Sequence, residues 1–341
     1  MLYVLIFIIS WIVLYLFYRY KTTSFYDIPN QRSMHTSPIK RGSGFFFSSV
    51  FLLALVYIYW FKGLKKDIFY VCFLGVSFFT SLGLLDDLYQ LSAKKKLFFQ
   101  SLFLFLLFYF FPLEIKIFQL KLTETWFFNI ILSTIYILFV VNICNFMDGL
   151  DLYLTGSFYI FLINFLLIGF PYSNDFVYCL FLYAVSLLPF VYYNLPNAKL
   201  FMGDSGSLPI GFLIALALFF IEGEWKGNLS LAPLFLPVFW IDGFYTIANR
   251  LLKRQNILEA HREHLYQRIQ SGFLSKKETL VVFLFQNLLP SIFFISYASG
   301  YINNFSVMYL YVFLVSHAFY FILNYMLEKK IALKKYVTKN F

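Results

Sequence analysis

An all-α bundle of membrane-spanning helices is the fold this sequence predicts, and three observations predict it. Apolar residues make up 61% of the 341-residue chain against 13% charged, and the mean hydropathy of +0.73 is well above what a soluble core requires. Apolar stretches of about twenty residues, the length that crosses a hydrocarbon core, recur along the chain between short loops. Lysine and arginine gather in alternate loops, the asymmetry that orients membrane proteins.

Taken in order, eleven stretches qualify, with ten the lower count: 1–19, 44–61, 67–85, 97–113, 126–143, 152–170, 176–193, 208–222, 229–248, 279–298 and 305–325. The first has no basic n-region and no small-residue cleavage site, and runs through Leu16, Phe17 and Tyr18 to Arg19 and Lys21, so it reads as a retained helix. Eleven spans put the termini on opposite sides. Arg19 to Arg41, Lys94 to Lys96, Lys199, Arg250 to Lys277 and Lys329 to Lys339 fall on one side and hold 21 of the 27 basic residues. Only Lys62, Lys65, Lys66, Lys116, Lys121 and Lys226 fall on the other, which places the C-terminus in the cytoplasm and the N-terminus outside.

The net charge of +10 follows from this bias and from attraction to anionic headgroups, so it makes no case for nucleic acid. Cys72, Cys144 and Cys179 lie in or beside apolar spans without ligand spacing and read as packing residues. The chain reads as a single membrane domain over 1–341, with no soluble domain and no internal repeat. Lys116 to Thr123 alternates polar and apolar residues as a small outer hairpin would. The outer loops are otherwise short connectors. The inner loops, near 20–43, 86–96, 144–151, 194–207 and 249–278, carry paired acids and three of the four histidines, so chemistry is expected there.

Asp86 and Asp87 end the third span and are followed by Lys94, Lys95 and Lys96. Carboxylates at a membrane boundary bind hard cations or act as bases, although a solvated loop has the same composition. Asn142, Asn145, Asp148 and Asp151 follow within ten residues at the next inner helix end, and i, i+3, i+6 spacing puts the first three on one face if the helix continues. The loop from Asn197 through Lys199, Phe201, Gly203, Asp204 and Gly206 joins a base, an aromatic ring, an acid and two glycines before a helix, an arrangement suited to phosphate. His261, His264 and Arg268 would share one helical face as a cationic strip, and their spacing is not that of a zinc site. Asp27 to Gly44 adds Arg32, His35, Lys40 and Arg41 among prolines and glycines, as an anion-facing loop. His317, alone in the last span, reads as a packing residue.

In this order the five segments, from about residue 27 to 268, resemble the polyprenyl-phosphate N-acetylhexosamine-1-phosphate transferases, the MraY/WecA/TagO superfamily. Asp27–His35 and Phe201–Ser207 look more like the WecA and TagO branch than MraY. Tyr266 and Gln267 stand where WecA-like members carry histidines, as in the WbpL-type transferases of O-antigen synthesis. Lys40 takes a family proline's place, Ser43 a glycine's, and Leu152 a glycine's. The expected carboxylates are all present.

The resemblance implies a phosphotransferase that moves an N-acetylhexosamine-1-phosphate from a UDP-sugar to undecaprenyl phosphate, releasing UMP. The site would face the cytoplasm from the bacterial inner membrane, and the product would start a surface glycan such as the O-antigen of lipopolysaccharide. It assigns catalysis to Asp86, Asp87, Asp148 and Lys96, and Mg²⁺, or Mn²⁺, to Asn145 and Asp204. Substrate contacts fall to Asn142, Asp151, Lys199, Phe201, His264, Arg268, Arg32, His35 and Arg41, with Asp151 and Phe201 at positions that recognise uracil. A homodimer is admitted. The competing expectations are a transporter or flippase, which would need ionisable residues at mid-membrane, and an inactive scaffold that binds the lipid carrier.

Overall fold

The computed structural model describes residues 1–20, 24–29, 37–118, 120–122, 124–168, 172–195, 197–256, 259 and 261–340, apart from the side chains of Glu224 and 333–340. The protein is helical: α1 Leu2–Arg19, α2 Ser43–Lys62, α3 Lys66–Tyr89, α4 Ala93–Phe110, α5 Trp126–Phe146, α6 Tyr153–Leu167, α7 Asn174–Asn194, α8 Asp204–Leu216, α9 Ala232–Phe235, α10 Pro237–Leu252, α11 Leu265–Gly272, α12 Lys276–Leu288, α13 Pro290–Ala298 and α14 Phe305–Asn340. Two antiparallel strand pairs are also present, β1 Tyr26–Asp27 with β2 Ile39–Lys40, and the hairpin of β3 Lys116–Ile117 with β4 Leu120–Lys121, along with short 3₁₀ turns. The β3–β4 pair is the hairpin expected from the alternation at 116–123.

Among the described residues seven helical segments are long and apolar enough to cross a membrane, and eight if α9 and α10, bent by 107°, count as one span. The other three stretches expected to span are also helical but fall short for visible reasons. Three lysines fill the first turn of α4. Helix α6 has 15 residues, and α8 has 13 before it tightens into a 3₁₀ turn at Ala217–Phe220.

The contacts cluster into two compact units, Met1–Phe158 with Phe170–Ala232, and Tyr159–Gly169 with Pro233–Phe341. At the centre of the first lies α8, buried from Ser205 to Leu216 and enclosed by α2, α3 and α5. Apart from its first turn α8 is apolar all round, the pattern of a helix with no solvent face. Helix α3 approaches its start so closely at Gly83 that a Cβ there would lie 2.3 Å from the Asp204 carbonyl and the Ser205 amide. Lys40, buried on β2, turns its ammonium to the C-terminal end of α1, donating to the carbonyls of Phe17 at 2.9 Å, Tyr18 at 3.0 Å and Tyr20. A cation suits the negative end of a helix and occupies carbonyls that the helix cannot pair.

In the second unit α10 packs against α12 and α14, and α11 packs against the same two helices. Pro237 and Pro290, each at the first position of a helix, mark two breaks, α9 to α10 and α12 to α13. Asn164, fully buried, donates to Phe235 O at 2.9 Å and Asn287 O at 3.0 Å and accepts from Ser291 Oγ at 2.6 Å. One amide therefore occupies a carbonyl beside each break.

Candidate active site

The first unit brings the sequence-predicted acids together around the N-terminus of α8. The last turn of α3 carries Asp86 and Asp87, and Asp87, 2% exposed, accepts the Asp204 amide at 3.0 Å and the Ser205 amide at 3.2 Å. A carboxylate from another helix thus caps the positive end of α8. Gly203 makes this possible, since its φ of +69° is left-handed and a Cβ would lie 2.4 Å from the Asp87 carboxylate.

Lys96, in the first turn of α4, places its ammonium between two carboxylates, 3.0 Å from Asp86 Oδ2 and 2.8 Å from Asp204 Oδ2. The Arg41 guanidinium donates to the Asp87 carbonyl, which puts a second cation beside the acids. Asn145, in the last turn of α5, donates to Ser207 Oγ at 3.0 Å and reaches the Asp204 carboxylate.

Helix α5 stops at Phe146, so Asp148 lies in the turn beyond it and does not extend the helical face of Asn142 and Asn145. Burial pushes the Asp148 carboxyl well above the usual carboxylate range, and the charges of Asp204, Asp87 and Asp151 push the same way. Just beyond Asp151, Leu152 has a φ of +60°, held by its amide hydrogen bond to Asn194 Oδ1 at 2.6 Å. A left-handed conformation would suit glycine better than leucine.

Other expected site residues make different contacts. Asn142 donates to Gln100 Oε1 at 2.9 Å and Leu138 O at 2.7 Å, tying α5 to α4. Lys199 lies over the Tyr192 ring, 4.7 Å from its centroid. The Phe201 backbone pairs with Lys40 O at 2.7 Å and accepts Ser43 Oγ at 2.9 Å, fixing the Asp204 loop to β2 and the start of α2. Arg32 and His35 lie outside the described residues.

His264 and Arg268 lie in the second unit. The single helical strip expected over 261–268 is not formed: α11 begins at Leu265, and His264 is its N-cap. The cause is Asp242, which sequence reasoning passed over inside an apolar stretch of α10. Its carboxylate, fully buried, takes the Leu265 amide at 2.9 Å and lies 3.2 Å from His264 Nδ1. Arg268 donates to Asn324 Oδ1 at 3.1 Å and to Glu328, so it is engaged with α14. Arg250 pins the preceding loop, bonding Glu263 Oε1 at 2.7 Å and Asn256 O at 2.7 Å. An acid within a hydrophobic run was the signal that could have found Asp242.

His261 stacks at a tilt near His264, with ring centroids 5.1 Å apart. Burial, then the neighbouring His264 and Arg250, push its imidazole down to about 4. The folded protein therefore keeps His261 neutral while the unfolded chain takes up a proton near the ordinary value of 6.5. Its contribution to stability is complete above that value and is lost as pH falls toward about 4. His261→Gln should flatten this part of the Tm against pH curve, and an unchanged slope would refute the assignment.

A membrane-embedded helical protein with acids and a lysine gathered at helix ends is the class that this fold and site define. The family described as glycosyl transferase family 4 matches residues 69–222, which bears out the resemblance to the MraY/WecA/TagO superfamily. Named relatives agree. Undecaprenyl-phosphate alpha-N-acetylglucosaminyl 1-phosphate transferase of Thermotoga maritima is 29% identical over 270 residues, 79% of this chain and 80% of that protein. The probable undecaprenyl-phosphate N-acetylglucosaminyl 1-phosphate transferase of Bacillus subtilis is 29% identical over 221 residues, 62% of this chain and 61% of that protein. Phospho-N-acetylmuramoyl-pentapeptide-transferase of Dictyoglomus turgidum is 31% identical over 152 residues, 42% of this chain and 49% of that protein.

Proposed function

We propose that this protein transfers an N-acetylhexosamine-1-phosphate from a UDP-sugar to undecaprenyl phosphate, releasing UMP and starting a surface glycan such as O-antigen. The reading places eleven spans in the bacterial inner membrane, with the N-terminus outside and the acids facing the cytoplasm. The observation that carries it is Lys96 held between Asp86 and Asp204, beside Asp87 at the N-terminus of α8.

In this reaction an oxygen of the lipid phosphate attacks the sugar-linked phosphorus, and the bond from that phosphorus to the UMP oxygen breaks. Two anions must approach, so cations supply most of the catalysis. Lys96 and Arg41 provide positive charge at the acids, and Asp86 or Asp87 receives the proton of a protonated lipid phosphate. Asp151 and Phe201 are given the uracil, and His264 and Arg268 the sugar or its phosphates, on the strength of the resemblance.

Among the described residues no three His, Cys, Asp or Glu side chains gather to hold a metal unaided. Asp86 Oδ1 is nevertheless buried with no hydrogen-bond partner among the described residues, and the neighbouring donors are oxygens, which suits a hard cation completed by substrate phosphates. Asn145 and Asp204 would hold Mg²⁺ or Mn²⁺, which would offset the negative charge of the diphosphate.

The test is transfer of radiolabel from a panel of UDP-N-acetylhexosamines to undecaprenyl phosphate, with and without Mg²⁺. Lipid-linked label with UMP release, absent without the cation and lost in Asp204→Ala, is the expected result. Folded protein that transfers label from no donor would overturn the reading in favour of a transporter or scaffold.

A further inference from the structure

Asp242 has no part in the reaction sketched above, yet its surroundings are highly specified. Its Oδ1 accepts three hydrogen bonds, from the Leu265 amide at 2.9 Å, Tyr320 Oη at 3.0 Å and Thr246 Oγ1 at 3.3 Å. Its Oδ2 faces His264 Nδ1 at 3.2 Å, and His264 is itself only 3% exposed. The nearest cation on the same helix, Arg250, is committed to Glu263 and Asn256, so the imidazole rather than an arginine is the partner of Asp242.

A carboxylate fully buried in an apolar helix is expensive to desolvate, and a neutral side chain of similar volume would spare the protein that cost. What the carboxylate supplies that an apolar residue cannot is an acceptor aimed at one particular ring nitrogen. Asp242 acts as an acceptor toward its three other partners, so its Oδ2 takes the His264 proton on Nδ1, and the ring's acceptor nitrogen becomes Nε2. The same carboxylate starts α11 through Leu265, and Arg268 lies one turn along that helix, its amide bonded to His264 O at 3.0 Å.

We propose that Asp242 is a positioning residue, holding His264 in the Nδ1–H tautomer and setting the start of α11, and hence Arg268, for the transfer reaction. As a statement about catalysis this rests on the function proposed above. As a statement about the tautomer it does not.

The chain has four histidines, so ¹⁵N-histidine labelling of the full-length protein in lipid resolves few signals, and His264→Gln assigns the one in question. The wild-type His264 proton is expected on Nδ1; finding it on Nε2 would overturn the proposal without any variant at Asp242. Asp242→Asn keeps a carbonyl oxygen for Leu265 and Tyr320 but turns an NH₂ donor toward Nδ1, so the proton should move to Nε2.

In the same variant kcat should fall about 10- to 100-fold, as when an orienting carboxylate is lost, with KM for the UDP-sugar within about 3-fold. Adding His264→Gln to Asp242→Asn should cost nothing beyond His264→Gln alone, because both remove one functional unit. Multiplied losses, or the same tautomer in both proteins, would mean that Asp242 serves stability only. Wild-type protein that transfers no label would defeat the proposed activity while leaving the tautomer result to decide on positioning.

Discussion

Lys96→Met should lower the transfer rate about 10²- to 10³-fold, the loss that follows removal of one preorganised charge donor from a site where negative charge accumulates. Methionine keeps roughly the reach of lysine and removes only its charge. In the wild type the ammonium is 3.0 Å from Asp86 and 2.8 Å from Asp204, and both acids are largely shielded from water. Without it two carboxylates face each other with no intervening cation, and the state with both ionised becomes unfavourable. On the proposed reaction the attacking phosphate also loses one of the two cations beside the acids. Lys96→Arg should recover only part of the rate, since a planar guanidinium cannot take the place of a compact ammonium between two acids. Initial rates of lipid-linked label at matched amounts of folded protein decide the matter. A loss under about tenfold would show that the lysine is a surface ion pair and nothing more.

Gly83→Ala should destabilise the protein by about 3 kcal/mol or more, at the upper end of what overpacking costs. The added methyl would lie 2.3 Å from backbone atoms of Asp204 and Ser205, and backbone in the first turn of a buried helix has nowhere to retreat. Either α3 moves away, carrying Asp86 and Asp87, or α8 moves and takes Asp204 with it. Activity should therefore fall with stability. Gly272→Ala is the reference, because its methyl would meet only Leu327 Cδ1 at 3.4 Å and should change stability by no more than about 0.5 kcal/mol. Thermal unfolding in matched detergent reads both variants. A Gly83→Ala melting temperature within about 2 °C of wild type would contradict the packing described, given the usual relation between Tm and stability.

Much of the site in the first unit was legible because its residues cluster in short segments. Asp86 and Asp87 are adjacent, Asn145 and Asp148 share one helix end, and Asp204 follows Gly203; each segment shows its chemistry within a few positions. What linear reading lacks is the partner across the fold. Asp87 reads as a free acid until the Asp204 and Ser205 amides are seen on it. Asn142 belongs to the same motif as Asn145 but turns to Gln100, a choice made by the packing of α4 on α5. Asp242 was lost because the hydropathy of its neighbours outweighed one charge, and that burial gives it its hold on His264.

The helices were legible as apolar length, while their breaks were not. Residues 229–248 read as one straight crossing despite Pro233 and Pro237, whereas the chain bends there by 107°.

A bend of this kind is usually treated as a joint. Asn164 makes this one something else, because the same side chain holds Phe235 beside the bend and Asn287 near the end of α12, with Ser291 closing the group. Opening the bend would withdraw the Phe235 carbonyl from an amide that α12 also uses, in surroundings that offer no water as a substitute. The corner between α9 and α10 is therefore tied to the α12–α13 segment, and the second unit carries it as a fixed corner rather than a hinge.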